Sequence, residues 1–371
     1  MRVTHVSIVR SRGRPTPEDL LAAWPTLGAI ASAVARAGAE VTVVQAFHED
    51  AEWIIKDVRY CFVAVPALPG RATGWRPDRI AAAVRSTAPD VIHVNGLDFP
   101  RHIRALCRLG APVLVQDHAS AAGRFARNRK RGLARVAGVM FTDERQAAPF
   151  FADGSLQPGT PVFAVPESST RFTAGDQAAA REETGIDGDP AVLWVGRLDA
   201  NKDPLTILDA IERAAAVLPG LRLHCCFHEQ PLLAQVEARI AQSAILSKRA
   251  RLIGRVTHDR IETFCRAADI YMLGSHHEGS GYALIEALAC GLAPVVSDIP
   301  SFRALTGNGA VGALVPPGDA AGFAEALVRI ARQPHEPLRQ EVVSHFDRTL
   351  SFERVGTRLL EIYETVTAGP A

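Results

Sequence analysis

Short apolar runs alternate along this chain with longer segments whose apolar positions recur at helical spacing. Residues 3–9 form the first strand-length run, residues 20–37 read as a helix stopped by Gly38, and residues 40–44 read as the next strand. Runs at 61–65, 91–94, 113–116 and 139–142 continue the series. Helical segments fill most of the gaps, and one opens at Arg76-Pro77, where proline occupies a first-turn position that needs no donor. Alternation of this kind predicts a parallel sheet built from crossover units.

The rhythm breaks between residues 164 and 190, which hold Pro166, Ser168, Ser169, Thr170, Gly175, Gly185 and Gly188 around a short helical piece. The first part of that stretch reads as an interdomain connection. A second alternating series follows, with strands expected at 191–195, 221–227, 251–253, 270–273, 294–297 and 313–315 and a helix at 322–332. The expectation is two α/β halves with a cleft between them: a first domain over 1–167, a second over 168–345, and a C-terminal segment over 346–371. In that last segment Val355, Leu359, Leu360, Ile362 and Tyr363 share one helical face, which must dock on something.

At 371 residues the chain can bury a core in each half. Its 41 basic and 40 acidic residues give a net charge of +1, so no global attraction to nucleic acid or membrane is expected. The run at 3–9 is too short for a leader and ends in Arg10-Ser11-Arg12-Gly13-Arg14. No apolar stretch approaches the roughly 18 residues of a membrane span, and the expected location is the cytoplasm. The six cysteines show no CxxC pair or regular Cys/His spacing, which predicts buried free thiols.

Candidate chemistry concentrates where strands end. Glu278-Gly279-Ser280-Gly281-Tyr282 leaves the strand at 270–273 and opens a helix. Glycines there admit a bound group close to the backbone, and the helix start favours a phosphate. Leu284, Ile285 and Leu288 share one face of that helix, while Glu286 points away from it between Ala283 and Ala287. Two acids beside a phosphate site suit hydroxyl groups, so the ligand should carry both phosphate and sugar. Gly196-Arg197 through Lys202-Asp203-Pro204 ends the strand at 191–195, with Asp203 as helix cap and Pro204 in the first turn. Its two cations can face the same phosphates.

In the first half, Asp117-His118 ends a strand, and His118 can bond a sugar hydroxyl or shuttle a proton. His93 lies inside an apolar run and reads as buried. The basic run Arg124, Arg127, Arg129, Lys130, Arg131 and Arg135 reads either as a solvated helix face or as a peripheral contact for an anionic acceptor or membrane surface. His276-His277 lacks a third ligand, so no metal site is expected. Gly13 stands alone after the first strand, which argues against a dinucleotide oxidoreductase.

Together these residues resemble the retaining, family 4 type of GT-B glycosyltransferase. Its paired glutamates, separated by seven residues with the first inside an EGxG loop, match Glu278 and Glu286, its diphosphate-holding cations match Arg197 and Lys202, and its strand-end histidine matches His118. The resemblance implies GT-B architecture, two Rossmann-like domains, with the C-terminal helix crossing back to the first. It also implies metal-independent transfer, with retention, from a UDP- or GDP-linked sugar. Catalytic roles would fall to His118, Arg197, Lys202 and Glu278. Gly196, Arg255, Val256, Gly279, Ser280, Gly281, Tyr282, Ala283 and Glu286 would line the donor, with Glu286 on the ribose. Arg12, Gly13, Trp24, Thr26, Asn95, His118 and Arg124 would face the acceptor, which is a small molecule, a lipid-linked group or a glycan. The chain departs from the pattern at Arg10–Pro15, where many members carry a glycine pair, at Ser280, where phenylalanine is commoner, and at Phe227-His228-Glu229-Gln230. A nucleotide-sugar epimerase or hydrolase and a non-catalytic nucleotide-sugar-binding protein are the competing readings.

Overall fold

A computed structural model describes residues 1–11, 13–66, 76–118, 122–123 and 126–368. It comprises two compact units, Met1–Ser169 with the segment from Phe352, and Thr170–Ser351. The first unit holds β1 (Arg2–Ser7), β2 (Glu40–Phe47), β3 (Ala51–Ile55), β4 (Val58–Ala64), β5 (Val91–Asn95), β6 (Val113–Gln116), β7 (Gly138–Phe141) and β8 (Val162–Ala164) in the order β3-β4-β2-β1-β5-β6-β7-β8. All pairings are parallel except β3 with β4. The second unit holds β9 (Ala191–Gly196), β10 (Arg222–Phe227), β11 (Ala250–Gly254), β12 (Ile270–Leu273), β13 (Ala293–Ser297) and β14 (Ala313–Val315), all parallel, in the order β11-β10-β9-β12-β13-β14. Central strands are mostly apolar because helices cover both faces, with His5, His93, Gln116 and His224 among the buried polar exceptions.

Each sheet grows outward from an inner strand and then reverses. The reversal lies between β1 and β5 in the first sheet and between β9 and β12 in the second. Connections from such a pair leave in opposite directions and open a crevice at the carboxyl ends of the strands.

Two local expectations need correction. The helix read over 20–37 is two helices, Pro17–Ala23 and Pro25–Arg36, with Trp24 between them at φ −124° and ψ 65°. Pro25 causes the break, since its ring disfavours the helical region for the residue before it. The run at 61–65 is part of β4, which forms a hairpin with β3. That strand alternates half-buried and exposed residues at the sheet edge and so carries a weaker apolar signal. The helix His335–Thr349 and the short β8 were also not foreseen.

The C-terminal helix, Phe352–Thr367, packs on the Pro25–Arg36 helix of the first unit, burying Val355, Leu359, Ile362 and Tyr363. Gly356 allows the approach, because a Cβ there would lie 2.4 Å from the Ala33 carbonyl oxygen. Tyr363 ends in a wholly buried polar chain. Its hydroxyl lies 2.6 Å from His93 Nδ1 and 3.1 Å from His5 Nε2, and His93 Nε2 lies 3.1 Å from Gln116 Oε1. The amide oxygen can only accept, so His93 Nε2 donates to it, His93 Nδ1 accepts from the phenol, and His5 Nε2 donates to the phenol oxygen. Burial keeps both imidazoles neutral: His5 is lowered to about 4, and His93 is held well below its ordinary value by burial and then by the neighbouring His5.

All six cysteines are unpaired. Among the described residues no helix is long and apolar enough to cross a membrane. Arg127, Arg129, Lys130 and Arg131 of the basic run lie on the helix Ala126–Leu133, which turns Arg129 inward onto Asp98 at 2.7 Å, so the run is not a uniformly solvated face. Arg127, Lys130, Arg131 and Arg135 remain exposed.

Candidate functional site

In the second unit the loops after β9 and β12, the two strands flanking the reversal, are stitched together. Asn201 Nδ2 donates to the His277 carbonyl at 2.9 Å, the His277 amide returns to Asn201 Oδ1 at 3.1 Å, and the His276 amide donates to the Asn201 carbonyl at 2.8 Å. Asp203 caps the helix Pro204–Ala214 by accepting from the Thr206 amide at 3.2 Å, and it also holds His276 at 3.0 Å. With both loops fixed, Lys202 and Glu278 meet as an ion pair whose side chains are only 16% and 13% exposed. Ser275 donates a further hydrogen bond to Glu278 at 2.7 Å. Breaking a pair at this depth would leave a poorly solvated charge, so the contact holds both side chains in place.

Gly281 caps the following helix, Tyr282–Ala289, at φ +67°, and a Cβ there would lie 2.7 Å from Leu305 Cδ1. Only glycine meets both constraints without strain. The loop Gly279–Gly281 therefore delivers the helix start, with Tyr282 and Ala283, to the same crevice. Arg197 follows Gly196 but turns to Asp199 at 3.0 Å, and it is 45% exposed rather than part of the buried pair. Arg255 and Val256 follow β11, the first exposed and the second half-buried against the core.

Glu286 lies one turn further along its helix, while Leu284, Ile285 and Leu288 face the core. Its carboxylate, 13% exposed, accepts from His258 Nε2 at 2.6 Å. That hydrogen bond holds the imidazole above its usual range, against burial and with help from the charges of Glu286 and Asp259. His258 escaped the sequence reading because its partner is 28 residues away on another helix. The available signal was its place just after Arg255 and Val256.

At the reversal in the first unit a cavity of about 360 Å³ opens between the ends of β1, β5 and β6. It brings together Trp24, Thr26, Asn95 and His118, four of the expected acceptor residues, and adds Asp98, Phe99, Gln116 and Glu167. His118 Nδ1 lies 2.5 Å from Glu167 Oε1, which fixes the ring. Glu167 sits in the stretch read as a connector, so nothing in its local sequence marked it. Gly13, at φ +80°, is exposed and does not line the cavity. Arg12 and Arg124 lie outside the described residues. The buried chain from Tyr363 reaches this cavity at both ends, since His5 and Gln116 also line it.

Comparison with known proteins gives these sites a context. The profile of the glycosyl transferases group 1 family matches residues 176–344. The chain is 33% identical over 184 residues to a phosphatidyl-myo-inositol mannosyltransferase of Mycobacterium leprae, a match covering 47% of this chain and 46% of that relative. The chain thus matches less than half the length of that relative. Sucrose-phosphate synthase from Thermosynechococcus elongatus superposes with a TM-score of 0.67 at 17% identity, covering all of both chains. An Anabaena protein solved in complex with UDP and glucose superposes with a TM-score of 0.67 at 14% identity, covering 98% of this chain and all of that one. At these identities the structures speak to fold alone, and that fold is the GT-B type with two parallel-sheet α/β units. Within it, the segment that is similar to the glycosyl transferases group 1 family, residues 176–344, holds the Lys202–Glu278 pair.

Proposed function

We propose that this chain is a glycosyltransferase that takes a sugar from a nucleoside diphosphate sugar and passes it, with retention of anomeric configuration, to an acceptor bound by the first unit. The observation that carries the reading is the largely buried Lys202–Glu278 pair in the crevice between β9 and β12. A lysine there can neutralise charge that develops on a departing diphosphate, and the released carboxylate can take hydroxyls of the donor sugar. The Gly279–Tyr282 loop and helix start supply amides for the same anion. Glu286 is the acid for the ribose, and Arg197, freed from Asp199, is the second cation. Val256 and Arg255, which follow β11, would meet the base.

The leaving group needs no metal in this scheme, and the acceptor attacks from the face the diphosphate leaves. UDP and GDP are both compatible with the site. The M. leprae relative is named for mannosyl transfer to a phosphatidyl-inositol, which supports sugar transfer, and the Anabaena structure holds UDP and glucose, which supports a nucleotide-sugar donor. For the acceptor, the cavity of about 360 Å³ offers Trp24 and Phe99 to a sugar face and Asp98, Asn95, Glu167 and His118 to hydroxyls, which suits a cyclic polyol headgroup, free, glycan-borne or lipid-linked. The exposed Arg127, Lys130, Arg131 and Arg135 suit a weak contact with an anionic surface that would present such a lipid. Six unpaired thiols favour a cytoplasmic working place.

The test is a donor panel of UDP- and GDP-linked sugars. Nucleoside diphosphate should be released slowly by the protein alone and faster once a polyol or lipid-linked acceptor is added. If calorimetry shows that neither UDP nor GDP binds, the donor site is misread.

A further inference from the structure

Glu286 is already engaged before any donor arrives. His258 Nε2 lies 2.6 Å from its Oε1, so one of the two carboxylate oxygens needed for a ribose diol is occupied. The partners differ in freedom: the carboxylate is 13% exposed on a helix, whereas the imidazole is 72% exposed on the first residue of the helix His258–Ala267. The imidazole is the partner that can leave.

We propose that His258 is a positioning residue on the donor side, which holds Glu286 while the site is empty and is displaced when a nucleoside diphosphate binds, so that nucleotide binding weakens as the imidazole becomes protonated. This inference rests on the assignment of Glu286 to the ribose made above. A protonated imidazole makes a charge-assisted bond that is harder to break than a neutral one. The charges facing the ring are Glu286, from the helix Tyr282–Ala289, and Asp259, from its own helix. The helix Gln177–Thr184, packed on the same element, directs Glu183 to Arg260 at 3.5 Å instead. Phe172 presents an uncharged ring to His258 at 5.2 Å between centroids. Around Glu286 the other groups are the buried thiol of Cys265 and the phenol of Tyr271, both kept protonated by their surroundings. Protonation at this position therefore changes one contact, the one to Glu286. Displacement returns the imidazole to solvent and lowers its proton affinity, so nucleotide binding should release protons near neutral pH.

Calorimetry of the full chain with UDP and GDP, between about pH 5.5 and 8.5, tests this, with uridine and guanosine as probes that keep the ribose and remove the titrating phosphates. For whichever nucleotide binds, affinity of the wild type should rise about tenfold from the acid end of the range to the basic end. His258→Ala should bind more tightly than wild type at the acid end and show a flat profile for the nucleoside. An unchanged slope in His258→Ala overturns the proposal, and so does weaker binding at every pH, which would make the histidine a nucleotide contact. Failure of the wild type to bind either nucleotide at any pH overturns the donor-site reading itself and this proposal with it. A thermal melt of His258→Ala within about 2 °C of wild type confirms that the comparison is between folded proteins.

Discussion

Lys202 and Arg197 enter the proposed reaction as cations, yet their surroundings differ. Lys202 is sealed against Glu278, while Arg197 is half in solvent and tied to Asp199. Each alanine variant is predicted to lower turnover by roughly 100-fold, the usual loss when a charge on the leaving group is removed. Only Lys202→Ala should also lower the melting temperature, because it strands the buried carboxylate of Glu278. Steady-state rates with matched melts check both statements, and near-normal turnover in either variant removes that residue from the mechanism. A second residue-scale prediction concerns acid stability. His5 and His102 are lowered by burial to about 4, below the ordinary 6.5. The unfolded chain then binds more protons between those values, so the stability that their neutrality supplies is complete above 6.5 and lost as pH falls towards 4. Each histidine contributes up to about 1.4 kcal/mol per pH unit in that window. Denaturant melts from pH 7 to about 4.5 should show the slope, and His102→Asn should show a shallower one. That Lys202 and Glu278 share one site was legible because both follow strand ends, where topology dictates a meeting; that they pair with each other was not. The pairing of Glu286 with His258 was not, since no periodic signal joins two helices that meet only through packing.

At the scale of elements, most strands and helices were legible because buried parallel strands are mostly apolar and their crossover helices carry a clear period. What escaped is explained by weak patterning. β3 is an edge strand with Ile54 79% exposed, and β8 has three half-buried residues. The break at Trp24 has more consequence, since a continuous helix over 20–37 would not place Trp24 and Thr26 on the cavity wall. Pro25 thus acts as a site determinant without touching a ligand. The start of the Tyr282–Ala289 helix depends similarly on Gly281. Gly281→Ala should cost on the order of 1–3 kcal/mol, because alanine at φ +67° is strained and its Cβ meets Leu305. Nucleotide affinity should fall with it as the loop shifts. Differential scanning calorimetry and UDP or GDP titration check the two effects, and an unchanged melt would show that the loop adapts freely.

For the whole molecule, the two sheets share one device, a reversal of strand order that opens a crevice at carboxyl ends. The alternating sequence pattern announced two such sheets. It did not announce the strand orders, which depend on the long-range pairing of β1 with β5 and of β9 with β12. The orphan apolar face at the C terminus announced that it must dock, and the structure sets it on the first unit. Tyr363→Phe, which keeps the ring and removes the hydroxyl, should destabilise the protein by about 2 kcal/mol, since two hydrogen bonds to buried imidazoles are lost. Chemical denaturation measures this, and a change below a few tenths of a kcal/mol would show that the chain of bonds contributes nothing. That docking also bears on the order of events during synthesis. A ribosome delivers His5 and His93 before the second unit and Tyr363 only after the whole of that unit has emerged. Until then the first unit lacks both the partner of its buried imidazoles and the cover for its Pro25–Arg36 helix. Folding from the N terminus, the usual course for a nascent chain, cannot finish here in sequence order, and the donor-binding unit can be complete while the first is still waiting. A prematurely terminated polypeptide should therefore have no settled first-unit cavity, because two residues of its wall, His5 and Gln116, hang on a side chain that has not yet been made.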